Sequence, residues 1–507
     1  MIKKYALLAL MPLFLAACGG KDPAPAQPDD KDDGKKEEQA IPIHQDGEPY
    51  DTYRGLVMAG YQGWFGTPDD GSLLTKNANT GWYHYRENDQ FRPGVLRNSI
   101  DFWPDMSEYE KKYVVGEETN PSNSAPFILP DGSHASVFSS YDESTVMLHF
   151  KWMKDYGIDG VWMQRFVGEI SASNNKEHFD KVLDNAMKAS NQYGRAIAVM
   201  YDMSGRTTVE QLRTVVSDAR ALMKKYALND RSKQKFYLYE NGKPLIALWG
   251  VGLNTTSHPR PSVVKEIMDQ LKNQGWSVFL GGPAYWREGG GDCVTGDEWT
   301  KLLDLFKESD GFFPWNAGRY DNGGYKGTVW QERIKKDIAM AKSFSTEGHV
   351  VPYALHVFPG FSWRNMYPDY KKDNPDETRT GDRLGGQFLW NQFYYGIRKG
   401  AEAFYVGMFD EIDEGTAIFK MLRVKDVPSN VYDGPDYWVN YLSSGKYTIT
   451  DSQQTSGVNW SQLASSLNVT FQGIDNDRDT DWYLWLTGQG AKMLRGEKEL
   501  TVKMPEK

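Results

Sequence analysis

Four acids fall within five positions at the end of one apolar run: Asp410, Glu411, Asp413 and Glu414, in AEAFYVGMFDEIDEGTAIFK. Crowded carboxyl groups raise one another's pKa, so a pair of them can hold an ionised base beside a protonated acid. Glu411 and Glu414, three apart, can point the same way from a tight turn or from the first turn of a helix. Glycosidic bond cleavage needs such a pair: one group assists attack and the other protonates the leaving oxygen. The competing reading is an ordinary acidic helix start, favoured by the positive end of the backbone dipole.

The elements that must carry these acids are legible as a repeat. Eight short apolar runs recur, at 54–64, 157–166, 195–205, 243–252, 276–286, 310–318, 350–360 and 401–411. Several are apolar on both parities, as strands covered on both faces of a parallel sheet should be. Amphipathic stretches separate them, and the first two end at Gly157 and Gly194, plausible helix stops. The closing DWYLWLTGQGAKMLRGEK reads as the last outer helix. Eight alternating strands and helices predict an α/β fold of the (β/α)8 TIM-barrel type, a single catalytic domain with extended loops. A doubly wound open sheet is the alternative, but no strand is followed by GxGxxG or GxxxxGKS.

In a barrel the chemistry lies at the C-terminal ends of the strands. The residues to read there are Gln62 and Trp64, Gln164 and Arg165, Asp202, Trp249, Tyr285, Trp286 and Arg287. Trp315, Asn316 and Arg319 follow, then His356 and Trp363, then Glu411 and Glu414. Rings, amides, arginines and two carboxylates describe a pocket for a polyhydroxylated substrate. The chain's 17 Trp and 14% aromatic content fit stacking on sugar faces, and equally a large core. A net charge of −10 leaves no basic stripe for a nucleic acid.

The N-terminus, MIKKYALLALMPLFLAACGG, has basic residues, a short apolar stretch and small residues before Cys18, the order of a secretory signal. Cys18 in that context resembles the lipidated cysteine of a bacterial lipobox. The expected division is a signal peptide at 1–17, a Pro- and charge-rich tether at 18–45 and the barrel domain at 46–507. A tether of that composition buries too little surface to offset its ordering entropy. The expected location is therefore the outer membrane, held by an N-terminal lipid and facing the periplasm or the cell surface. Cys293 is then left without a partner and reads as an inert small hydrophobe.

FDEIDEGTAI resembles the catalytic segment of glycoside hydrolase family 99, the endo-acting α-mannosidases, whose pattern is close to F-N-E-W-x-E-G-T-x-I. GYQGWFGTPDDG with GWYHY resembles that family's first strand and its Trp-x-His-Trp loop, which brings in Trp82, His84 and Tyr85. HVFPGFSWRN resembles its seventh-strand segment at Pro359-Gly360-Phe361. The general character is that of family 71/99-like surface lipoproteins of gut Bacteroidota. The resemblance implies that Glu411 is the base that takes a proton from the sugar's own 2-hydroxyl, giving a 1,2-anhydro intermediate. It implies that Glu414 protonates the leaving oxygen and then activates water, with retention of configuration. Asp410 and Ile412 stand where the family has Asn and Trp, and the ends of strands two and three differ too. An α-glucanase or xylosidase-type specificity is thus an alternative to a mannan-like substrate. A non-catalytic glycan-binding lipoprotein on the same fold is another.

No metal or other cofactor is expected: the eight His are scattered singly, without HExxH or paired-Cys spacing. IDNDRDTDW alternates Asp475, Asp477 and Asp479 but lacks the Gly and distal Glu of a calcium loop, so it reads as a solvated turn. GGPAYWREGGGDC lacks the Lys and Ser/Thr of a phosphate loop and reads as a mobile loop over the site, with Tyr285 and Trp286 as candidate stacking rings or, equally, as rings packed within the loop. His84, alone in an aromatic loop, reads as a hydrogen-bonding subsite residue. The expected partner is an oligo- or polysaccharide, and the chain is expected to act as a monomer.

Overall fold

The computed structural model describes residues 41–76, 81–85, 91, 99–115, 126–319, 328–362, 383–428 and 471–507. The predicted signal peptide, Cys18, most of the tether and Trp363 lie outside these described residues. Eight strands form one parallel ring: β1 (Val57–Tyr61), β2 (Gly160–Phe166), β3 (Ala196–Asp202), β4 (Lys243–Trp249), β5 (Ser277–Pro283), β6 (Phe312–Trp315), β7 (Leu355–Val357) and β8 (Phe404–Val406). Each pairs with the next from β1 to β6, β7 pairs with β8, and β8 returns to β1 with Val57 opposite Phe404. The gap between β6 and β7 is bridged at Phe312, whose N–H donates to the Pro352 carbonyl and whose carbonyl accepts from Ala354 N, both at 3.0 Å.

One long helix follows each strand: α1 (Glu143–Tyr156), α2 (Ser173–Tyr193), α3 (Val209–Lys225), α4 (Pro261–Asn273), α5 (Gly296–Glu308), α6 (Thr328–Lys342), α7 (Gln387–Arg398) and α8 (Trp482–Leu494). The fold is the (β/α)8 barrel read from the sequence. Local chemistry sets the ends of its helices. Gly157 and Gly194 stop α1 and α2 in the left-handed conformation that lacks a Cβ penalty. Thr208 and Gln211 form a reciprocal capping box at the start of α3, and Pro261 opens α4. The helix α2 begins at Ser173, a turn earlier than its apolar pattern indicates, because its first turn is polar on every face.

The strands divide their side chains by parity. One set (Val57, Ala59, Val161, Ile197, Val199, Ile246, Leu248, Val278 and Leu280) packs outward under the helices. The other (Met58, Trp162, Ala198, Met200, Leu245, Ala247, Phe279, Phe313 and Tyr405) fills the barrel interior. The chain entering β1 plugs the barrel base: the Tyr53 ring packs 5.6 Å from both Trp162 and Phe279, and its hydroxyl donates to the Phe404 carbonyl at 2.9 Å. With the base closed, the open end is where the strands finish.

Candidate active site

The inward parity carries a polar and aromatic layer to the C-terminal ends of the strands. Gln164 on β2 donates toward the Tyr405 hydroxyl at 3.4 Å. Trp249 on β4 meets Trp315 on β6 edge to face at 5.5 Å, and Trp315 lies 4.4 Å from His356 on β7, which lies 5.3 Å from Tyr405 on β8. Glycines make the room for these rings. A Cβ at Gly281 would sit 2.6 Å from Trp249 and 2.7 Å from Phe313, and one at Gly407 would sit 2.4 Å from His356 Nε2. Asp202 at the end of β3 completes the layer; burial pushes its carboxyl up to about 6 against the opposing hydrogen bonds of Ser204. His356 is fully buried and burial lowers it to about 3, so a neutral ring stands behind Trp315. Trp249, Trp315 and Asp202 keep part of their surface open, whereas Tyr405 is wholly covered.

The acids follow β8 on a turn, not on a helix. Phe409 N donates to the Gly60 carbonyl at 2.7 Å, Met408 N to Thr416 at 3.0 Å and Asp101 N to Ile412 at 2.8 Å, which pins the loop to β1 and to itself. Arg383 Nη2 donates to the carbonyls of Gly415 and Ala417, each at 2.8 Å, while its guanidinium lies over the rings of Phe102 and Tyr483. Gly415, at φ 64°, turns the chain.

On this loop the side chains differ sharply in their partners. Asp410 accepts from the backbone N–H groups of Gln62 (2.7 Å) and Gly63 (2.9 Å), and burial pushes its carboxyl up to about 6 in spite of both donors. Glu411 is 2% exposed and accepts from Glu414 N and from the Thr416 hydroxyl, each at 2.6 Å. Burial first, then the neighbouring Glu414 and Asp413, raise its carboxyl well above the ordinary range. Glu414 is half-buried, and its carbonyl accepts from Ser362 N at 2.6 Å. Asp413, also 2% exposed, meets His84 Nδ1 at 2.9 Å through Oδ2; burial, Glu414, Asp101 and Asp410 raise it strongly.

His84 itself sits at φ 61°, a left-handed conformation that costs a non-glycine residue about 1–3 kcal/mol. Its ring is stacked 3.7 Å from Trp64 at 6°, and Phe166 lies near-parallel to the same indole at 5.1 Å. The faces of Trp64 are thus largely engaged by the protein. Among the described residues no group of three His, Cys, Asp or Glu is placed to hold a metal ion.

Of the residues singled out from the sequence, Gln164, Asp202, Trp249, Trp315 and His356 converge on one layer. Trp64 and His84 join the acid loop through Asp413. Arg165 does not belong to the mouth. It has outward parity on β2, is 1% exposed and is paired with Asp218 on α3 (2.7 Å) and Asp180 on α2 (2.9 Å). Trp286 is a core residue: it is fully buried among Phe306, Phe312, Phe344 and Tyr353. Its Gly-rich segment is tied down. Asp292 accepts from Ala284 N, Tyr285 N and Arg319 Nε, and Arg333 covers the Tyr285 ring at 3.9 Å. Cys293 is buried, and burial pushes its thiol up to about 12. The sequence reading missed Tyr405, Asp101 and Arg383. For Tyr405 the signal was available, since it shares the parity of Gly407 two residues before the acid loop. Asp101 and Arg383 reach that loop from distant segments and carry no local signal.

The fold and this mouth define a (β/α)8 barrel with an acid-rich loop after the eighth strand. No protein-family model matches the chain, and no curated protein matches it in sequence. Among solved structures it is similar in fold to the GH99 endo-alpha-mannosidase from Bacteroides thetaiotaomicron in complex with bis-tris-propane. The TM-score is 0.52 at 13% identity, over 88% of this chain and 99% of that one. A second structure of the GH99 endo-alpha-mannosidase from the same organism gives a TM-score of 0.50, with the same identity and coverage.

Proposed function

We propose that the chain is a retaining glycoside hydrolase acting on an α-linked glycan, mannan-like or related, with Glu411 and Glu414 as its catalytic pair. The observation that carries this reading is the state of Glu411: a buried carboxyl at the open end of a barrel, aimed by Glu414 N and Thr416 and crowded by further acids. Burial and like charge raise its basicity above that of an ordinary glutamate, as a proton acceptor for a sugar hydroxyl requires. The fold shared with the GH99 endo-alpha-mannosidase supports the same class of reaction.

In this reading Glu411 takes the proton of the sugar's 2-hydroxyl as that oxygen attacks the anomeric carbon, giving a 1,2-anhydro sugar. Glu414 gives its proton to the departing glycosidic oxygen, then deprotonates the water that attacks the anomeric carbon, while Glu411 returns its proton to the 2-oxygen as the anhydro ring opens. Trp249 and Trp315 offer open ring surface for a pyranose face, and Asp202 and Gln164 offer polar groups for its hydroxyls. An anchor at Cys18 would hold the enzyme at the outer membrane, where polymeric glycans are met.

The test is hydrolysis of a panel of α-mannans, α-glucans and xylosides by the wild type, Glu411→Gln and Glu414→Gln. Full activity in either variant ends the assignment. A second reading, glycan capture without turnover, is favoured by one observation: both Glu411 oxygens are already engaged within their own loop. Calorimetric binding of a glycan that is never cleaved on prolonged incubation would establish it.

A further inference from the structure

Three buried acids lie on one loop, and their hydrogen bonds divide them. Asp410 accepts two backbone N–H groups, and Glu411 accepts one N–H and one hydroxyl. These are donor sets that a carboxylate anion uses. Asp413 has no such set. Its Oδ1 is buried without a hydrogen-bond partner, and its Oδ2 meets only His84 Nδ1, a ring nitrogen able to accept. A buried anion with one oxygen unserved is costly, whereas a protonated carboxyl needs only one acceptor. The groups that face Asp413 are Glu414 and Asp410 on its own loop and Asp101 from the segment before α1, all acids. Glu169, after β2, is the charged group that acts on His84.

The geometry points to Asp413 as a positioning residue: its protonated carboxyl donates to His84 Nδ1 and so fixes the imidazole as the tautomer with its proton on Nε2. This rests on the glycosidase reading for its use but not for its detection. His84 keeps 29% of its side chain exposed, Trp64 covers one face, and Nε2 has no hydrogen-bond partner among the described residues. The ring therefore presents a neutral N–H donor at the acid loop, suited to a sugar hydroxyl or ring oxygen. Burial lowers the ring's pKa to about 3, in keeping with a neutral imidazole. A proton kept on Asp413 also removes one of the negative charges that, after burial and Glu414, raise the Glu411 carboxyl, and so favours its ionisation. The left-handed backbone at His84 holds the ring in this register.

The test is nitrogen-15 NMR of the full chain with labelled histidine, near neutral pH. The His84 ring is assigned by its loss in His84→Gln, or, should that variant not fold, by contacts to the stacked Trp64. The expected result is one protonated ring nitrogen, Nε2, with Nδ1 unprotonated and hydrogen-bonded. Asp413→Asn, whose amide can donate to Nδ1, keeps that tautomer; Asp413→Leu releases it to a mixture. A proton on Nδ1, or on both nitrogens, overturns the proposal. With a cleaved glycan in hand, Asp413→Leu should raise KM by about tenfold, the worth of one hydrogen bond, with a much smaller change in kcat. The spectrum is read whether or not any glycan is cleaved, so failure of the glycosidase reading and failure of this one are separate results.

Discussion

Two clusters of buried charge stand on the same barrel, one under its helices and one at its mouth, and they are built by opposite rules. On the outer face, Arg165 is ringed by Asp218, Asp180 and the Tyr201 hydroxyl, the last donating to Asp218 at 2.6 Å. Burial alone would raise the Asp218 carboxyl, but the Arg165 guanidinium, the Tyr201 hydroxyl and Lys176 together outweigh it and hold the group below its ordinary value. At the mouth, Asp410, Glu411 and Asp413 are as deeply buried, yet burial and mutual repulsion leave Glu411 and Asp413 far above theirs. The first cluster is compensated and joins a strand to two helices. The second has a cation near it, Arg383, whose Nη2 bonds go to the Gly415 and Ala417 carbonyls, and it stands where substrates enter barrels of this kind. Depth of burial is alike in the two clusters; balance of charge is what differs, and a strained balance in a cleft is what marks a candidate site.

The contrast is sharpest in what removal does. Glu411→Gln should lower turnover of a cleaved glycan by about 10²–10⁴-fold, the usual worth of a positioned acid or base. Its unfolding midpoint should stay level or rise, since an unfavourable buried carboxyl is gone. Arg165→Met should do the reverse: lose about 3–5 kcal/mol of stability by stranding Asp218 and Asp180, with kcat per folded molecule retained. The double change Arg165→Met with Asp218→Leu should recover much of that loss. Denaturant melts paired with initial rates check both halves, and a collapse of stability in Glu411→Gln would erase the distinction.

The two clusters must also oppose each other in pH. Asp410 has a folded pKa of about 6, above that of an unfolded aspartate, so the folded state binds more protons between about 4 and 6 and stability falls as pH rises through that window. At about 1.4 kcal/mol per unit, its share approaches 2–3 kcal/mol. Asp218, held low, contributes stability above the ordinary carboxylate value that is lost as pH falls. Asp410→Asn should flatten the decline between pH 4 and 6 whatever its effect on overall stability. An unchanged slope would place the proton elsewhere on the loop.

The same contrast explains what was legible in the sequence. The strands of the barrel could be read because both of their faces are apolar, and the acid pair because four acids interrupt such a strand. That double apolarity also hid parity. In GVWMQRF nothing marks that Gln164 turns inward while its neighbour Arg165 turns to the helices, so local spacing alone assigns both to the mouth. Trp286 misled for a related reason: a ring in a Gly-rich segment looks exposed until Phe306, Phe312 and Tyr353 are seen around it. The partners that make the mouth what it is lie far away in the chain. Asp410 reaches Gln62 and Gly63, and Asp413 reaches His84, across more than 300 positions. No local spacing announces such contacts.

The smallest expected effects come from the aromatic layer, and they test whether the mouth is one site or two. Trp249 and Trp315 touch each other, and Trp315 touches His356 beneath the acid loop. If a glycan spans from these rings to the acids, Trp249→Phe should weaken binding by roughly 0.5–1.5 kcal/mol, a KM increase of several-fold with kcat nearly constant, because a phenyl keeps part of the stacking face. Trp286→Phe, behind the same wall and wholly buried, should leave KM alone and cost stability instead, through the cavity left by the lost ring. Equal KM changes in the two variants would mean that the open face of Trp249 is not where the sugar lies, and the substrate path would then have to run along the Trp64–His84 side of the mouth.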